Sequence, residues 1–542
     1  MKLACESIDR VLTTEIRLPF LTRGIIPAEY EAARAKIGEP ISYAMASAIL
    51  KCLEEGKNRV AVFTGVYHPE NFPNGESDGP LGAAVVGNAI EKLGGDVTYC
   101  LEKETIPGTV HNFTVFFILL GILFFLLFIG QKVCFALAIT SVIGFVIIKN
   151  PGALQSGGMV AWNAVNSFEL IAIPMFILMG ELVVHCGLSK NFYKSAKVYF
   201  SHIPGGFLQT NILACAIFSA ISGSSLACAA SIGSVSYRDL SEQGYDKKMV
   251  LGTLGGGGAL GIMIPPSLPF LIYGSLTDTS VSKLFIAGVI PGLILTLLFM
   301  VYVGIRVTIN PKLAPKNKYS ATRKELIQAI PGMFPFIFLI IVILGGIYSG
   351  ITTPTEAAAV SVIVALILSA ITGGLTWQSV KESLLETIKS YCMIAFIVIG
   401  AKFFTYIITM SGVSRGITSW FTSLNASPLA FFLFIIAIYL VLGCLMDGTS
   451  IIYLTIPVVY PLIQLAGFDP IWFGVILTAL VEIAMLTPPV GMNLFVLHGI
   501  TKGTCEFKDI IKGCFPYILL YALLIALLWC FPSIATWLPH SM

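Results

Sequence analysis

The chain has 542 residues, of which 56% are hydrophobic and 12% are charged, and its mean hydropathy is +0.86. This composition excludes a set of soluble domains and indicates a protein embedded in a lipid bilayer. The net charge of +3 is too small for a phosphate-binding surface, so nucleic acid is not an expected partner. The 12 cysteines include no C-x-x-C pair, and we expect neither a disulfide framework nor a metal site built on them.

The first 110 residues are much more polar than the rest and have the pattern of a small, partial α/β segment. The pattern predicts helices over residues 43–55 and 78–93 and strands over residues 59–64 and 96–101. The junction before the second predicted helix contains Gly79 and a capping residue, Ser77 or Asp78. Such a junction is typical of an anion site at a helix N-terminus.

From residue 111 onward the sequence consists of apolar stretches long enough to cross a hydrocarbon core of about 30 Å. We predict spans at residues 112–130, 132–149, 168–187, 248–276, 285–305, 332–350, 354–374, 391–411, 471–498 and 514–538. Two further apolar stretches, 205–236 and 428–464, are interrupted by Ser222-Gly223-Ser224-Ser225 and by Asp447-Gly448-Thr449-Ser450. A lipid-facing helix would not have such turn formers at its centre, so each stretch is predicted to be a re-entrant hairpin.

The positions of these interruptions predict an internal duplication. Ser222, Gly223 and Ser225 lie 225 positions before Asp447, Gly448 and Ser450, and Pro265-Pro266 lies 223 positions before Pro488-Pro489. Each copy would contain five spans and one hairpin, and because five is odd the second copy must be inverted. The fold class is therefore predicted as an all-α polytopic membrane protein with an inverted repeat. Its predicted parts are an α/β segment at 1–110, a first repeat at 111–310, a basic linker at 311–331 and a second repeat at 332–542.

The interruptions have the chemistry of a site for a cation and a carboxylate. Two half-helices that meet at a Ser/Gly turn expose free carbonyl groups, which suit a cation, and free amide groups, which suit a carboxylate. The proline pairs open the neighbouring span because proline has no N–H to donate, and an alkali ion is the natural ligand of the freed carbonyls. Asp447 would balance the charge of one Na⁺, and Thr487 would add a hydroxyl group. The predicted substrate- and ion-binding residues, with Na⁺ at the same positions and no catalytic residue, are Ser222, Gly223, Ser224, Ser225, Gly261, Pro265, Pro266, Ser267, Asp447, Gly448, Thr449, Ser450, Thr487, Pro488, Pro489, Gly491 and Asn493.

Structural interpretations of the same residues are also open. A single Ser-Gly pair or proline kink in a membrane helix is usually structural, and it is the matched pairs that favour a site. A hairpin tip at the aqueous surface would leave Asp447 merely solvated. Four more charged or titratable residues fall within or near spans, where they indicate function unless they snorkel or cap a helix: Glu181, Lys402, Glu482 and His498. Glu356 is more simply assigned to a helix start.

Several motifs occur in the order found in a known transporter family. They are Ile173-Pro174-Met175-Phe176, Ser222-Gly223-Ser224-Ser225, Gly244-Tyr245, Ile264-Pro265-Pro266-Ser267, Leu284-Phe285-Ile286-Ala287-Gly288-Val289-Ile290-Pro291-Gly292, Thr353-Pro354-Thr355-Glu356-Ala357-Ala358, Asp469-Pro470 and Thr487-Pro488-Pro489-Val490-Gly491. With them, residues 112–540 closely resemble the large membrane subunit of TRAP transporters, which is DctM-like. The resemblance implies an elevator-type, Na⁺-coupled importer of carboxylates in a bacterial-type inner membrane, without an organic cofactor. It also implies two partners, a periplasmic solute-binding protein and a small four-helix membrane subunit.

The sequence also bears on functions other than secondary transport. Phe63-Thr64-Gly65 and Asp78-Gly79-Pro80-Leu81-Gly82-Ala83 resemble the opening part of the D-glutamate cyclase family. A bifunctional or mis-joined cyclase-like lyase fused to a transporter is therefore the alternative. Because a membrane span replaces the remainder of that domain, we expect a transporter and not an enzyme. No G-x-x-x-x-G-K-[ST] loop is present for an ATP-driven pump, and a passive channel would not need duplicated broken helices.

Overall fold

The computed structural model describes residues 59–64, 96–101, 109–148, 156–200, 203–315, 322–411, 427–444, 446–489 and 491–541. The chain divides into two compact units, Met1–His111 and Asn112–Met542. In the first unit, strands β1 (Arg59–Thr64) and β2 (Asp96–Leu101) pair in parallel, with Arg59 opposite Asp96. Both strands lie where the sequence predicts them, whereas the two predicted helices and the junction at 75–83 fall outside the described residues.

The described elements after the strands are all helical. They are α1 (Thr109–Phe128), α2 (Val133–Ile148), α3 (Gly157–Val165), α4 (Phe168–His185), α5 (Leu188–Phe200), α6 (Phe207–Ser222), α7 (Ser225–Glu242), α8 (Lys247–Ala259), α9 (Leu268–Thr277), α10 (Val281–Ile309), α11 (Arg323–Tyr348), α12 (Pro354–Ile371), α13 (Trp377–Met410), α14 (Pro428–Gly443), α15 (Gly448–Leu465), α16 (Pro470–Leu486), α17 (Met492–Thr501), α18 (Phe507–Cys530) and α19 (Ser533–His540). Short 3₁₀ turns, Leu260–Ile262 and Pro311–Leu313, follow α8 and α10.

The helix lengths confirm a multi-pass membrane protein. Within the described ranges, α10, α11, α12, α13, α15 and α18 are each long and apolar enough to cross a membrane alone. Counting the bent pair of α3 and α4 as one span brings the number to seven. Most of the remaining predicted spans and hairpin arms are shorter apolar helices, namely α1, α2, α6, α9, α14, α16 and α17.

The predicted interruptions are present as breaks between helices. The first hairpin consists of α6 and α7, and the second consists of α14 and α15. The predicted span 248–276 is divided into α8 and α9, and the predicted span 471–498 is divided into α16 and α17. Each proline pair lies in one of these breaks, and its Pro-Pro peptide bond is cis.

Two helices, α3 and α5, lie where no element was predicted. α5 is amphipathic, because Leu188, Phe192 and Tyr193 are buried while Lys190 and Lys194 are exposed. It packs on α11 and α6. A third difference concerns the end of the chain, where the predicted span 514–538 is instead α18 followed by the separate helix α19.

The turns that lead from each hairpin to the following broken helix are alike. Gly244 and Gly467, which are 223 positions apart, have φ values of +82° and +74°, a conformation that favours glycine. In both turns the amide of the next residue bonds back to a carbonyl five positions earlier, at 3.1 Å. The aspartates two positions after the glycines, Asp246 and Asp469, cap the next helices by accepting backbone N–H groups at 2.9 and 2.7 Å. The same local structure is therefore built twice.

The hairpins pack reciprocally on the broken helices. The returning arm of the first hairpin, α7, contacts α17, and the returning arm of the second hairpin, α15, contacts α9. Each hairpin also contacts the first part of the broken helix that follows it in the chain, α8 or α16. The two hairpins and the two broken helices therefore form one packed core.

Candidate functional site

The tip of the first hairpin lies directly on the first proline break. α6 ends at Ser222, and Gly223 then takes a left-handed conformation with φ +58°. A Cβ added to Gly223 would lie 3.1 Å from the carbonyl oxygen of Pro266. Ser224 caps α7, since its hydroxyl accepts the backbone N–H of Ala227 at 3.3 Å. Glycine is needed in this turn for both its dihedral angle and its closeness to the break.

Gly261 brings the 3₁₀ turn of the break equally close to the hairpin. A Cβ on Gly261 would lie 3.2 Å from the Ser219 hydroxyl oxygen and 3.2 Å from the backbone nitrogen of Ser225. The buried hydroxyl of Ser267 donates to the carbonyl of Ile262 at 2.5 Å, which satisfies one of the carbonyl groups near the break. Hydroxyl groups, amides and carbonyls therefore converge where the hairpin meets the break. Ser219, which is not among the residues predicted from the sequence, belongs to this group.

The tip of the second hairpin is a longer turn. α14 ends at Gly443, and Asp447 caps α15 by accepting the backbone N–H of Ser450 at 3.1 Å and the hydroxyl of the same residue. Cys444 faces the second break, with its thiol donating to the carbonyl of Pro488 at 3.3 Å. Asp447 is half-buried at this tip, as is Ser224 at the first.

The motifs separated by 225 positions do not occupy equivalent places. Gly223 ends the first arm of its hairpin, whereas Gly448 is the first residue of the returning arm α15. The residues that cap the returning arms are Ser224 and Asp447, and these are 223 positions apart, like the two proline pairs. The reason for the difference is the length of the turn, which occupies 223–224 in the first hairpin and 444–447 in the second.

The residues after the second break include an unsatisfied amide. Thr487 donates its hydroxyl to the carbonyl of Ile483 at 2.6 Å, and Gly491 has φ +26°. Asn493 is fully buried in the first turn of α17, and within the described part of the chain neither its Oδ1 nor its Nδ2 has a hydrogen-bond partner. A buried amide without partners is costly, so it marks a place where a ligand would be stabilised. The remaining predicted positions vary, with Pro265 buried, Thr449 half-buried and Pro489 exposed.

Glu482 of α16 reaches the first hairpin from the other half of the chain. It is 0% exposed, and its Oε1 accepts the hydroxyl of Ser225 at 2.5 Å. The backbone amide of Ile262 faces the same carboxyl group. The sequence indicates only that Glu482 lies near a span, because nothing in the local sequence shows that α16 lies against α7.

Among the other charged or titratable residues in or near spans, Glu181 and His498 have identified contacts. His185 lies 3.4 Å from Glu181 on α4 and 3.3 Å from Glu382, which links α4 to α13. His498 packs its ring edge-on against Phe507, with centroids 5.7 Å apart. Lys402 is half-buried on α13.

Glu356 forms a capping box with Thr353, as expected of a helix start. The Thr353 hydroxyl accepts the Glu356 N–H at 3.3 Å, and the Glu356 carboxylate accepts the Thr353 N–H at 2.8 Å. The structure therefore assigns Glu356 to the beginning of α12.

Comparison with known proteins finds relatives of both parts of the chain. Residues 21–113 match the family described as D-glutamate cyclase-like, C-terminal. Among relatives, the C4-dicarboxylate TRAP transporter large permease protein DctM of Pseudomonas aeruginosa is 34% identical over 400 residues, which is 73% of this chain and 92% of that protein. The sialic acid TRAP transporter large permease protein SiaM of Vibrio cholerae is 31% identical, covering 77% of this chain and 96% of that protein. Since such relatives are transporter permeases, the prediction of a transporter and not an enzyme is confirmed.

The fold has a counterpart among solved structures. The Alcanivorax borkumensis YdaH transporter, whose crystal structure is described as having an unusual topology, superposes with a TM-score of 0.56. The match covers 80% of this chain and 99% of that one at 12% identity, so it supports the fold alone. Residues 120–534 match the family described as Tripartite ATP-independent periplasmic transporter, DctM component, and this chain belongs to that family.

Proposed function

We propose that residues 112–542 form the large permease of a Na⁺-coupled importer for carboxylate-bearing solutes. The observation that carries the proposal is the pair of hairpin tips, each lying against a broken helix at a proline pair. Broken helices of this kind present amide groups to an anionic substrate and carbonyl groups to a coupling cation. The substrate class also agrees with the names of the relatives, which are permeases for C4-dicarboxylates and sialic acid.

Na⁺ suits the oxygen-rich surroundings of the tips. At the first tip these are the hydroxyls of Ser219 and Ser225. Near the second break they are the hydroxyl of Thr487 and the unpartnered side-chain carbonyl of Asn493. We assign one cation to each region and the substrate carboxylate to the helix N-termini between them.

We further infer that the two halves are inverted repeats and that the core moves as a unit. The support is the twofold occurrence of the Gly-x-Asp turn at a spacing of 223 and the reciprocal packing of α7 on α17 and of α15 on α9. Such reciprocity is what a pseudo-twofold axis between two copies produces. Because the hairpins and broken helices contact one another extensively, an elevator-type movement of this core would carry substrate and ions together.

The remaining parts of the proposal follow from the family. TRAP systems are tripartite, so we propose that this chain works with a small four-helix membrane subunit and a periplasmic solute-binding protein in the inner membrane. The exposed apolar side chains of α11, among them Phe334, Ile337 and Ile341, provide a surface for lipid or for the small subunit.

Uptake into proteoliposomes tests the proposal. The full chain is reconstituted with its small subunit and binding protein, and radiolabelled C4-dicarboxylate or sialic acid is added under an inward Na⁺ gradient or an equal K⁺ gradient. We expect accumulation only with Na⁺, and we expect Ser224→Ala, Asp447→Ala and Thr487→Ala to reduce it. Thr455→Val on α15, whose hydroxyl bonds Tyr439 away from the turn, is a matched control. Accumulation that is equal in Na⁺ and K⁺ would contradict the proposed coupling.

The match of residues 21–113 favours a second candidate function, a cyclase-like activity of the N-terminal unit. We test it by assaying the full chain for cyclisation of D-glutamate and by comparing uptake with and without residues 1–108. The transporter assignment predicts that uptake survives the deletion and that no cyclisation occurs. Cyclisation by the full chain would establish the bifunctional alternative.

A further inference from the structure

We propose that Glu482 provides the negative charge for the cation at the first hairpin, so that this ion site is built from both halves of the chain. The inference rests on the proposed Na⁺ coupling and adds a ligand that the motif analysis did not include. Glu482 lies on α16 in the second half, and its partner Ser225 is the first residue of α7 in the first half.

The geometry leaves one carboxylate oxygen free. Oε1 of Glu482 accepts the Ser225 hydroxyl at 2.5 Å, while Oε2 is buried and has no hydrogen-bond partner among the described residues. Ser225 is also the residue whose backbone nitrogen lies close to Gly261. The free oxygen therefore belongs to a group that already contacts the point where the hairpin meets the break.

The charge of this carboxylate has no counterpart in the described residues. None of the ion pairs formed by described lysine, arginine or histidine side chains includes Glu482. The titratable side chains near it are the thiol of Cys228 and the phenol of Tyr521, and neither carries a positive charge. An ionised carboxylate without a group of opposite charge beside it is strongly unfavourable in a dry interior, so the arrangement is suited to a bound cation.

The acidic residue at the second hairpin is used differently. Both carboxylate oxygens of Asp447 accept hydrogen bonds from Ser450, one from its backbone N–H and one from its hydroxyl. Asp447 is also half-buried, whereas Glu482 is fully buried. Since Asp447 is occupied in capping α15, Glu482 is the carboxylate with a free, desolvated oxygen.

Binding of Na⁺ to purified protein tests the inference independently of transport. ²²Na⁺ binding and the melting temperature are measured in detergent over a range of NaCl concentrations, with choline chloride keeping the ionic strength constant. Glu482→Gln retains the shape of the side chain and an acceptor for Ser225 but removes the charge. We expect it to weaken one class of Na⁺ sites at least about tenfold, which is about 1.4 kcal/mol, and to lower the Na⁺-dependent rise in melting temperature.

Two further variants keep the test decisive. Thr478→Val, one turn earlier on α16, removes a hydroxyl that donates within its own helix to Gly474 at 2.9 Å, and it should bind Na⁺ like the wild type. If Glu482→Gln does not fold, Glu482→Asp replaces it, since it keeps the charge but withdraws it by one methylene group, and weakened Na⁺ binding is expected. Wild-type Na⁺ affinity in the Gln variant, or in the Asp variant where that one is used, would overturn the inference while leaving Na⁺ coupling intact. A wild-type protein that neither binds ²²Na⁺ nor is stabilised by it would overturn the proposed coupling itself.

Discussion

Replacement of Gly256 by alanine should destabilise the core, because the helix α8 has no room for a side chain at this position. A Cβ on Gly256 would overlap the Cγ and Cδ1 atoms of Tyr517 and lie 2.9 Å from its Cβ. A change of rotamer would move Cγ and Cδ1 of Tyr517 but not its Cβ, so the 2.9 Å contact would persist. The ring is 1% exposed and packs edge-on against Phe299 and Tyr302, with centroids 4.9 and 5.5 Å apart.

The magnitude follows from two opposing effects. Adding a methyl group to a close-packed interior costs roughly 1–3 kcal/mol, and contact with the base of a side chain on another helix favours the upper value. Alanine in place of glycine stabilises a helix by about 1 kcal/mol through its higher helix propensity. We therefore expect Gly256→Ala to lower the free energy of unfolding by about 2 kcal/mol.

The assay is the fraction of monodisperse protein that survives heating in detergent, measured by gel filtration across a range of temperatures. Gly499→Ala on α17 is the matched control, because nothing lies within 4 Å of the added Cβ. The control should be as stable as the wild type or slightly more stable, and Gly256→Ala should be lost at a lower temperature. Survival of Gly256→Ala at the temperature of the Gly499→Ala control would refute the packing of α8 on α18.

Three further changes concern capping and ion pairing, each measured by the melting temperature. Asp246→Ala removes the cap of α8 and should lower the free energy of unfolding by about 1 kcal/mol. Asp246→Asn should melt near the wild-type temperature, because asparagine caps a helix equally well. Equal melting temperatures for the two variants would contradict the capping role of Asp246. Lys197→Met removes an ion pair with Asp239 and a cation that lies 4.2 Å from the ring centroid of Phe207. It should lower the free energy of unfolding by about 1 kcal/mol, and the melting temperature of the variant should depend less on salt concentration than that of the wild type. Thr353→Ala breaks the capping box of α12 and should cost about 1 kcal/mol, and an unchanged melting temperature would argue against that box.

The hairpins and the broken helices could be predicted because their signals are local. A Ser/Gly turn or a proline pair inside an apolar stretch cannot continue a lipid-facing helix, whatever surrounds it. The predicted interruption at 222–225 therefore contains the turn at 223–224, whereas the one at 447–450 begins at the last residue of the turn at 444–447. Local signals do not fix the length of a turn, which is why the spacing of 225 paired Gly223 with Gly448 although they lie at different ends of their turns.

Amphipathic helices are not predicted as spans, because hydropathy averaged over a window combines their polar and apolar faces. α5 is as polar as it is apolar over its length, so its buried face of Leu188, Phe192 and Tyr193 is cancelled by its lysines. The first turns of α13 are similar, since Lys381 and Glu382 precede its apolar part. Helical periodicity, which places Leu188, Phe192 and Ala196 four positions apart, is the signal that would have identified α5.

The two acidic residues show why a site assembled across a fold is harder to predict than its motifs. Asp447 stands in a turn three positions before Ser450, which is also the pattern of a helix N-cap, and the structure uses it in that way. Glu482 lies inside a continuous apolar helix, and its relation to Ser225 exists only because α16 and α7 from opposite halves meet in the core. A buried carboxylate is tolerated only where another group compensates it, so its partner must be sought across the packing interface and not along the chain. In a duplicated fold, aligning the sequences of the two halves therefore locates the turns that both halves share. It does not locate a charged side chain of one half that reaches a site in the other half.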